Sequence, residues 1–151
     1  MCTAVGILGT GAYLPEGALT NEELSRRLGV TPEWIFQQTG IAVRRVAPDG
    51  MLSSGMAVEA GRQALEQAGT AAEEIGLLIM ASSTPDATSP ATAALIQQAL
   101  HIPQAMCFDL SAGCSGFVYA LATACHLVSS GFCAKALVIG AEKLSRIVDP
   151  A

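Results

Sequence analysis

Positive charge is scarce in this chain. Eight Lys and Arg stand against 13 Asp and Glu, giving a formal net charge of −5 and a pI near 4.9. A surface that neutralises phosphates needs clustered Lys and Arg, so the balance argues against nucleic acid as a partner. Four of the eight basic residues form two pairs, Arg26-Arg27 and Arg44-Arg45, which read as solvated faces or as a small patch for an acidic partner. Aromatics are rare at 5% and charged residues total 14%, while 51% of the chain is apolar. That mixture excludes a disordered chain and fits small-residue helices packed on a sheet, with enough length for a real core.

Metal-ligand spacing is also lacking. The five cysteines (Cys2, Cys107, Cys114, Cys125, Cys133) are odd in number and contain no C-x-x-C, which excludes a zinc ribbon or disulfide framework and fits a reducing cytoplasm. No metal and no permanently bound cofactor is expected. The longest apolar stretch, near residues 116–128, falls short of the roughly 20 residues of a membrane span, and no basic-then-apolar leader opens the chain. A soluble protein without a membrane partner is the expectation. Low-complexity tracts, repeats and linkers are absent too, so the chain reads as one continuous unit.

What is there alternates. "AVGILGTGAYLP" (4–15) reads as a buried strand entering a Gly-rich turn, stopped by Pro15. Thr20 followed by Glu23 predicts a capping box that opens a helix to about Leu28. Thr31, Pro32 and Gly40 predict a second helix with its cap, first residue and terminator. The spacing of Met56, Ala57, Ala60, Ala64, Leu65 and Ala68 predicts a helix over 54–68, and "GLLIMAS" (76–82) a fully buried strand. Ser89-Pro90 reads as the cap of a helix to about Leu100, then follow a strand over 105–110, a helix over 115–130 ended by Gly131, and a strand over 135–142. Such alternation predicts helices on a mainly parallel sheet. "GILGTG" (6–11) lacks the third glycine of a dinucleotide fingerprint and runs into Pro15, so a tight turn beside a strand is the better reading.

The chemistry concentrates in "DLSAGCSGFVYAL" (109–121). A strand ends at Asp109-Leu110, a small-residue turn follows, and a helix starts at Cys114 or Ser115, the geometry that lifts a nucleophile out of a sheet. Partial positive charge and orphan N–H groups at a helix start stabilise a thiolate there. Gly113 and Gly116 leave room for a carbonyl to approach and for the Cys114 N–H to serve an oxyanion. The helix beyond, "FVYALATACHLV" (117–128), is apolar nearly all round, which predicts protein on every side of it. Cys107, Cys125 and Cys133 read as small buried hydrophobes, and Cys2 has no context. No base for Cys114 is found: His126 lies roughly 18 Å further along the same helix, and His101 reads as a surface or capping group.

With these residues in view, the chain resembles the N-terminal half of the beta-ketoacyl-acyl-carrier-protein synthase III family, condensing enzymes of the thiolase superfamily. The resemblance rests on "GTGAYLPE" (9–16), "TNEEL" (20–24), "EWIFQQTGI" (33–41), "IGLLIMASSTPD" (75–86), "FDLSAGCSGFVYAL" (108–121) and "ALVIGAEKLSRIVDP" (136–150). It implies an α/β fold: a thiolase-like half-domain over 1–151, with a mainly parallel mixed sheet, helices on both faces and a buried central helix. It further implies a homodimer, with a C-terminal half or companion polypeptide supplying a histidine, an asparagine and a second oxyanion donor.

By the same resemblance, Cys114 takes an acyl group from acyl-coenzyme A or acyl-carrier protein and condenses it with a malonyl thioester, with loss of CO2. Coenzyme A thioester is then substrate rather than resident cofactor. Trp34 matches the family's tryptophan that stacks on the adenine of coenzyme A, its plainer role being helix packing. Ser89 stands where many members carry a phenylalanine that closes the partner's acyl pocket. Two departures stand out: Gln38 and Ala42 replace arginines that commonly flank the T-G-I motif, which weakens contacts to the nucleotide end of coenzyme A. Transfer to an alcohol or amine without condensation, and a non-catalytic thiolase-fold partner subunit, are the alternatives. A cysteine between Gly113 and Ser115 argues against the second, since a purely structural site could equally hold Ala or Gln.

Overall fold

The computed structural model describes residues 4–148. They divide into two compact units, one built from the N-terminal segment to Tyr13 together with Leu52–Glu142, the other from Leu14–Met51 and the segment from Lys143. No shift of composition marks this division in the sequence, which reads as continuous.

The smaller unit holds an antiparallel strand pair and two helices. Strands β1 (Gly17–Thr20) and β2 (Val43–Val46) pair from Gly17 opposite Val46 to Thr20 opposite Val43. This pair escaped the sequence reading, because four-residue strands carry too little alternation and Arg44-Arg45 reads as charge. Helix α1 (Asn21–Leu28) opens on the expected capping box: Thr20 Oγ1 accepts from Glu23 N, and the Glu23 carboxylate accepts from Thr20 N. Helix α2 (Pro32–Thr39) has Thr31 as its cap and ends at Gly40, whose φ of 68° is the left-handed conformation glycine adopts freely. The buried amide of Asn21 ties this unit together, donating to Ile41 O and accepting from Arg44.

The larger unit contains α3 (Ser53–Ala68), β3 (Ile75–Ala81), α4 (Thr92–Ala99), β4 (Met106–Leu110), α5 (Gly116–Ser129) and β5 (Lys135–Gly140). The sheet is parallel with order β4-β3-β5. Passing from β3 to β4 and then back across to β5 moves in opposite directions over the sheet. Right-handed crossovers therefore place α4 and α5 on opposite faces. Leu78 and Met80 of β3 pack with α3 and α4, whereas Leu77, Ile79 and Ala81 pack with Ala120 and Ala124 of α5. A strand covered on both faces has no polar side to alternate with, which is why 77–81 is continuously apolar. Removing buried methyl groups here leaves a cavity: Leu78→Ala is expected to cost about 2–5 kcal/mol in urea unfolding of the chain.

Three expectations are corrected. Residues 4–15 do not form a strand; no strand pairing involves them, and Ile7 and Leu8 are 73% and 63% exposed. They lie along α3 instead, with Ala12 N donating to Gln63 and Thr10 N to Gln67. Gly9 and Gly11 serve close approach rather than a turn, since a Cβ on Gly9 would sit 2.6 Å from Ala64 O and one on Gly11 would meet Ala60 O. Ser89 does not cap α4; the N–H groups of Thr92 and Ala93 donate instead to the Asp109 carboxylate at the end of β4, both at 2.7 Å. Finally, α5 is buried only along the stripe of Gly116, Ala120 and Ala124. Phe117, Val118, Tyr119 and Leu121 are exposed, because nothing in these residues covers the helix's outer side.

Candidate functional site

Cys114 sits in a single 3-10 turn, Gly113–Ser115, that runs directly into α5. The turn requires glycine at 113, where φ is +55°, a conformation unfavourable for any residue with a Cβ. The strand before it is anchored by Asp109, whose carboxylate is fixed to the first two N–H groups of α4. The sulfur is thus carried on a short loop pinned at its strand end and continued by a helix at the other. Cys114 is exposed, and first-turn N–H groups of this kind have no acceptors within the helix. Gly116 faces the sheet beside Ala81 and Leu110, so it serves helix packing and not, as its sequence position suggests, clearance beside the sulfur.

A cavity of about 950 Å³ lies wholly within the larger unit, and Gly113, Cys114, Phe117 and Glu142 are among its lining residues. The carboxyl ends of β3 and β5 meet in a polar knot. Ser82 Oγ donates to Ala141 O (2.8 Å), Thr84 Oγ1 donates to the Glu142 carboxylate (2.6 Å), and Ser83 N donates to its other oxygen (2.7 Å). Ser53 Oγ at the start of α3 donates to Thr84 O. Glu142 and Asp109 are the site residues that the sequence reading missed. Both lie just at or beyond strand ends, where open α/β sheets place their ligands, and that position was the available signal.

The other cysteines differ from Cys114. Burial pushes the Cys107 thiol up, helped by the Asp109 carboxylate, and burial alone raises Cys133, so neither forms thiolate readily at neutral pH. Cys125 is exposed on α5 and lines the same cavity as Cys114, in place of the buried packing role expected for it. Cys2 lies outside the described residues. Neither histidine lines that cavity: His126 Nδ1 is 2.8 Å from Ala122 O on its own helix, and His101 is exposed after α4 with φ at 55°.

Trp34 is 51% exposed on α2 in the smaller unit. Ser89 is exposed on the segment before α4 and does not line the Cys114 cavity. The structure therefore does not bring Cys114 and Ser89 into one pocket within this chain. Among the described residues no group of three or more His, Cys, Asp or Glu could hold a metal ion, and no helix is long and apolar enough to cross a membrane.

Comparison with known proteins locates this geometry. Residues 108–151, which include the Cys114 turn, match the family described as 3-Oxoacyl-[acyl-carrier-protein (ACP)] synthase III. The beta-ketoacyl-[acyl-carrier-protein] synthase III of Hyphomonas neptunium is 53% identical over 143 residues, which are 95% of this chain and 44% of that protein. The enzyme of the same name from Rhodospirillum centenum is 52% identical over the same shares. Among solved structures, the 3-oxoacyl-[acyl-carrier-protein] synthase III of Aquifex aeolicus superposes with a TM-score of 0.94 at 44% identity, over 97% of this chain and 47% of that one. The priming beta-ketosynthase of the R1128 polyketide pathway superposes at 0.93 and 36% identity, over 96% and 43%. The chain spans less than half the length of each of these relatives, and with nearly all of its residues matched it belongs to the beta-ketoacyl-acyl-carrier-protein synthase III family.

Proposed function

We propose that this chain is the nucleophile-bearing, N-terminal half of a decarboxylating condensing enzyme. One observation carries the reading: an exposed thiol on a glycine-dependent turn at the start of α5, in the stretch that matches the synthase family. The Cys114 thiolate attacks the carbonyl carbon of an acyl-coenzyme A or acyl-carrier-protein thioester. A new C–S bond forms, and the coenzyme A or carrier thiolate leaves. Loss of CO2 from a malonyl thioester then supplies a carbanion that attacks the acyl-Cys114 carbonyl and returns the thiolate. Backbone N–H at Cys114 holds negative charge on the carbonyl oxygen in both steps. A complementary C-terminal half provides the histidine and asparagine that assist decarboxylation, and the assembly works as a homodimer in the cytoplasm.

Trp34, exposed and held by its short helix, is available to stack on the adenine of coenzyme A. Intact-mass analysis tests the reading: after mixing with acetyl-coenzyme A and a complementary half, the 151-residue chain gains one acetyl group, mapped to Cys114. Acetyl found on another cysteine, with Cys114 free, refutes it.

Ser89 carries a narrower expectation. Exposed and outside the Cys114 cavity of its own chain, it suits a role in the partner subunit's acyl pocket. A phenylalanine there would shorten that pocket, so Ser89→Phe is expected to shift kcat/KM toward short acyl donors by about tenfold or more. A chain-length profile unchanged by the substitution would remove the idea.

A further inference from the structure

Buried hydroxyls gather where the sheet ends near Cys114. Ser82 and Thr84 directly follow β3, Ser53 and Thr92 are the first residues of α3 and α4, and all four are buried. A buried hydroxyl costs stability unless it is bonded, whereas a fully bonded set fixes one geometry. Each is bonded here. Ser53 Oγ donates to Thr84 O, Ser82 Oγ donates to Ala141 O and accepts from Thr84 N, and Thr92 Oγ1 accepts from Asp86 N. Thr84 Oγ1 gives its proton to Glu142.

Glu142 stands apart from the four hydroxyl residues, because it is exposed and lines the Cys114 cavity, which none of them does. One of its carboxylate oxygens accepts from Ser83 N at 2.7 Å and the other from Thr84 Oγ1 at 2.6 Å. The chain just after β3 is therefore gripped by main chain and side chain together. Ser82, beside these two, donates its N–H to Leu110 O at 3.2 Å. Leu110 is the last residue of β4, from which the Cys114 turn departs. Gly116, where that turn enters α5, faces Ala81 and the same Leu110. Both ends of the turn thus rest on the last residues of β3 and β4.

We infer that Glu142 is a positioning residue for the Cys114 thiol: its carboxylate fixes residues 82–84, and Ser82 in turn fixes the strand end that carries the Cys114 turn. The inference deepens the acyl-transfer reading and rests on it for its kinetic consequence alone. Nothing in the role requires Glu142 to touch substrate. Misplacing a reacting group by about 1 Å can cost roughly 10²-fold in rate, so a loosened support is read as lost turnover. The shape of the two bonds decides which replacements serve. In Glu142→Gln the amide oxygen still accepts from Ser83 N, and the NH2 donates to the Thr84 hydroxyl, which turns round to accept. In Glu142→Asp the charge stays but the carboxylate is one methylene short of both partners. A role through geometry ranks Glu142→Gln above Glu142→Asp; a role through charge reverses the order.

Acetyl transfer from acetyl-coenzyme A to Cys114, followed by intact mass with the complementary half present, gives the ranking. Glu142→Ala and Glu142→Asp are expected to lower the rate at saturating donor by about tenfold or more, with the half-saturating donor concentration within about twofold of the unmodified value. Glu142→Gln should stay within about threefold in both. Amide hydrogen exchange reads the coupling without acyl chemistry: Glu142→Ala should speed exchange at Ser82 and Ser115 by about tenfold or more and leave Leu78, inside β3, as it was. Equal rates across the variants, Glu142→Asp more active than Glu142→Gln, or Ser82 and Ser115 amides unmoved by Glu142→Ala overturns the inference. Where Glu142→Ala fails to fold, the comparison of Glu142→Asp with Glu142→Gln decides in both measurements. An unmodified chain that takes up no acetyl group refutes the acyl-transfer reading, and the exchange comparison then settles this one by itself.

Discussion

Cys114→Ala is expected to lower acyl transfer by about 10³-fold or more in the presence of a complementary half, because removing the nucleophile of a catalytic unit forfeits most of its rate. Iodoacetamide should show the same ranking in the unmodified chain, with Cys114 labelled first. Cys107 and Cys133 are held back by burial, which raises both thiols. Cys125 is the true competitor, being exposed on the same helix and lining the same cavity. It lies inside α5, however, nine residues beyond Gly116 at the helix start, where orphan N–H groups stabilise a thiolate. Peptide mapping after brief labelling separates the two. A variant lacking Cys114 that still accumulates acyl-enzyme would defeat the assignment.

The second large effect concerns the chain on its own. The exposed sides of α5 present Phe117, Val118 (64% exposed), Tyr119 and Leu121, with Phe117 and Leu121 also lining the Cys114 cavity. Soluble monomers seldom show apolar patches beyond a few hundred Å². Size-exclusion chromatography of the isolated 151-residue chain should therefore show self-association or aggregation, relieved when the complementary half is added. A malonyl-thioester assay on the isolated chain should read background, since neither histidine lines the Cys114 cavity. A stable monomer that condenses substrate would contradict both parts.

Much of the larger unit was legible because its signals are local. The apolar run of β3, the periodicity of α3 and the small-residue turn before α5 each announce themselves within a dozen residues. The capping box at Thr20 and the Thr31-Pro32 start are likewise settled by side chains three or four residues away. Failures came where distant residues decide. The helix after Pro90 takes its cap from Asp109, so Ser89 looked like a cap only because its true one lies beyond the helix. The run 4–15 has the composition of a buried strand, but strand formation depends on a neighbour to pair with. Helix α5 reads as surrounded for a similar reason: its composition records apolar contact on all sides, whereas these residues cover one stripe. For the site, the Cys114 turn was visible and its supports were not, since Glu142 and Asp109 act through backbone N–H and hydroxyl groups 16 to 60 residues away.

The two ends of the segment before α4 are clamped independently of what lies between them. Asp86 N donates to Thr92 Oγ1 (3.0 Å), the Asp86 carboxylate accepts from Ser54 N, and Thr92 N is held by Asp109. Residues 87–90 therefore form a bridge whose abutments belong to the scaffold and whose span, Ser89 included, does not. Such a span is an exchangeable cassette: its side chains can be rewritten, even replaced wholesale by those of a relative, while α4 and the strand leading to Cys114 keep their places. Selection, or an engineer, can rewrite this span without re-solving the problem of holding the Cys114 turn.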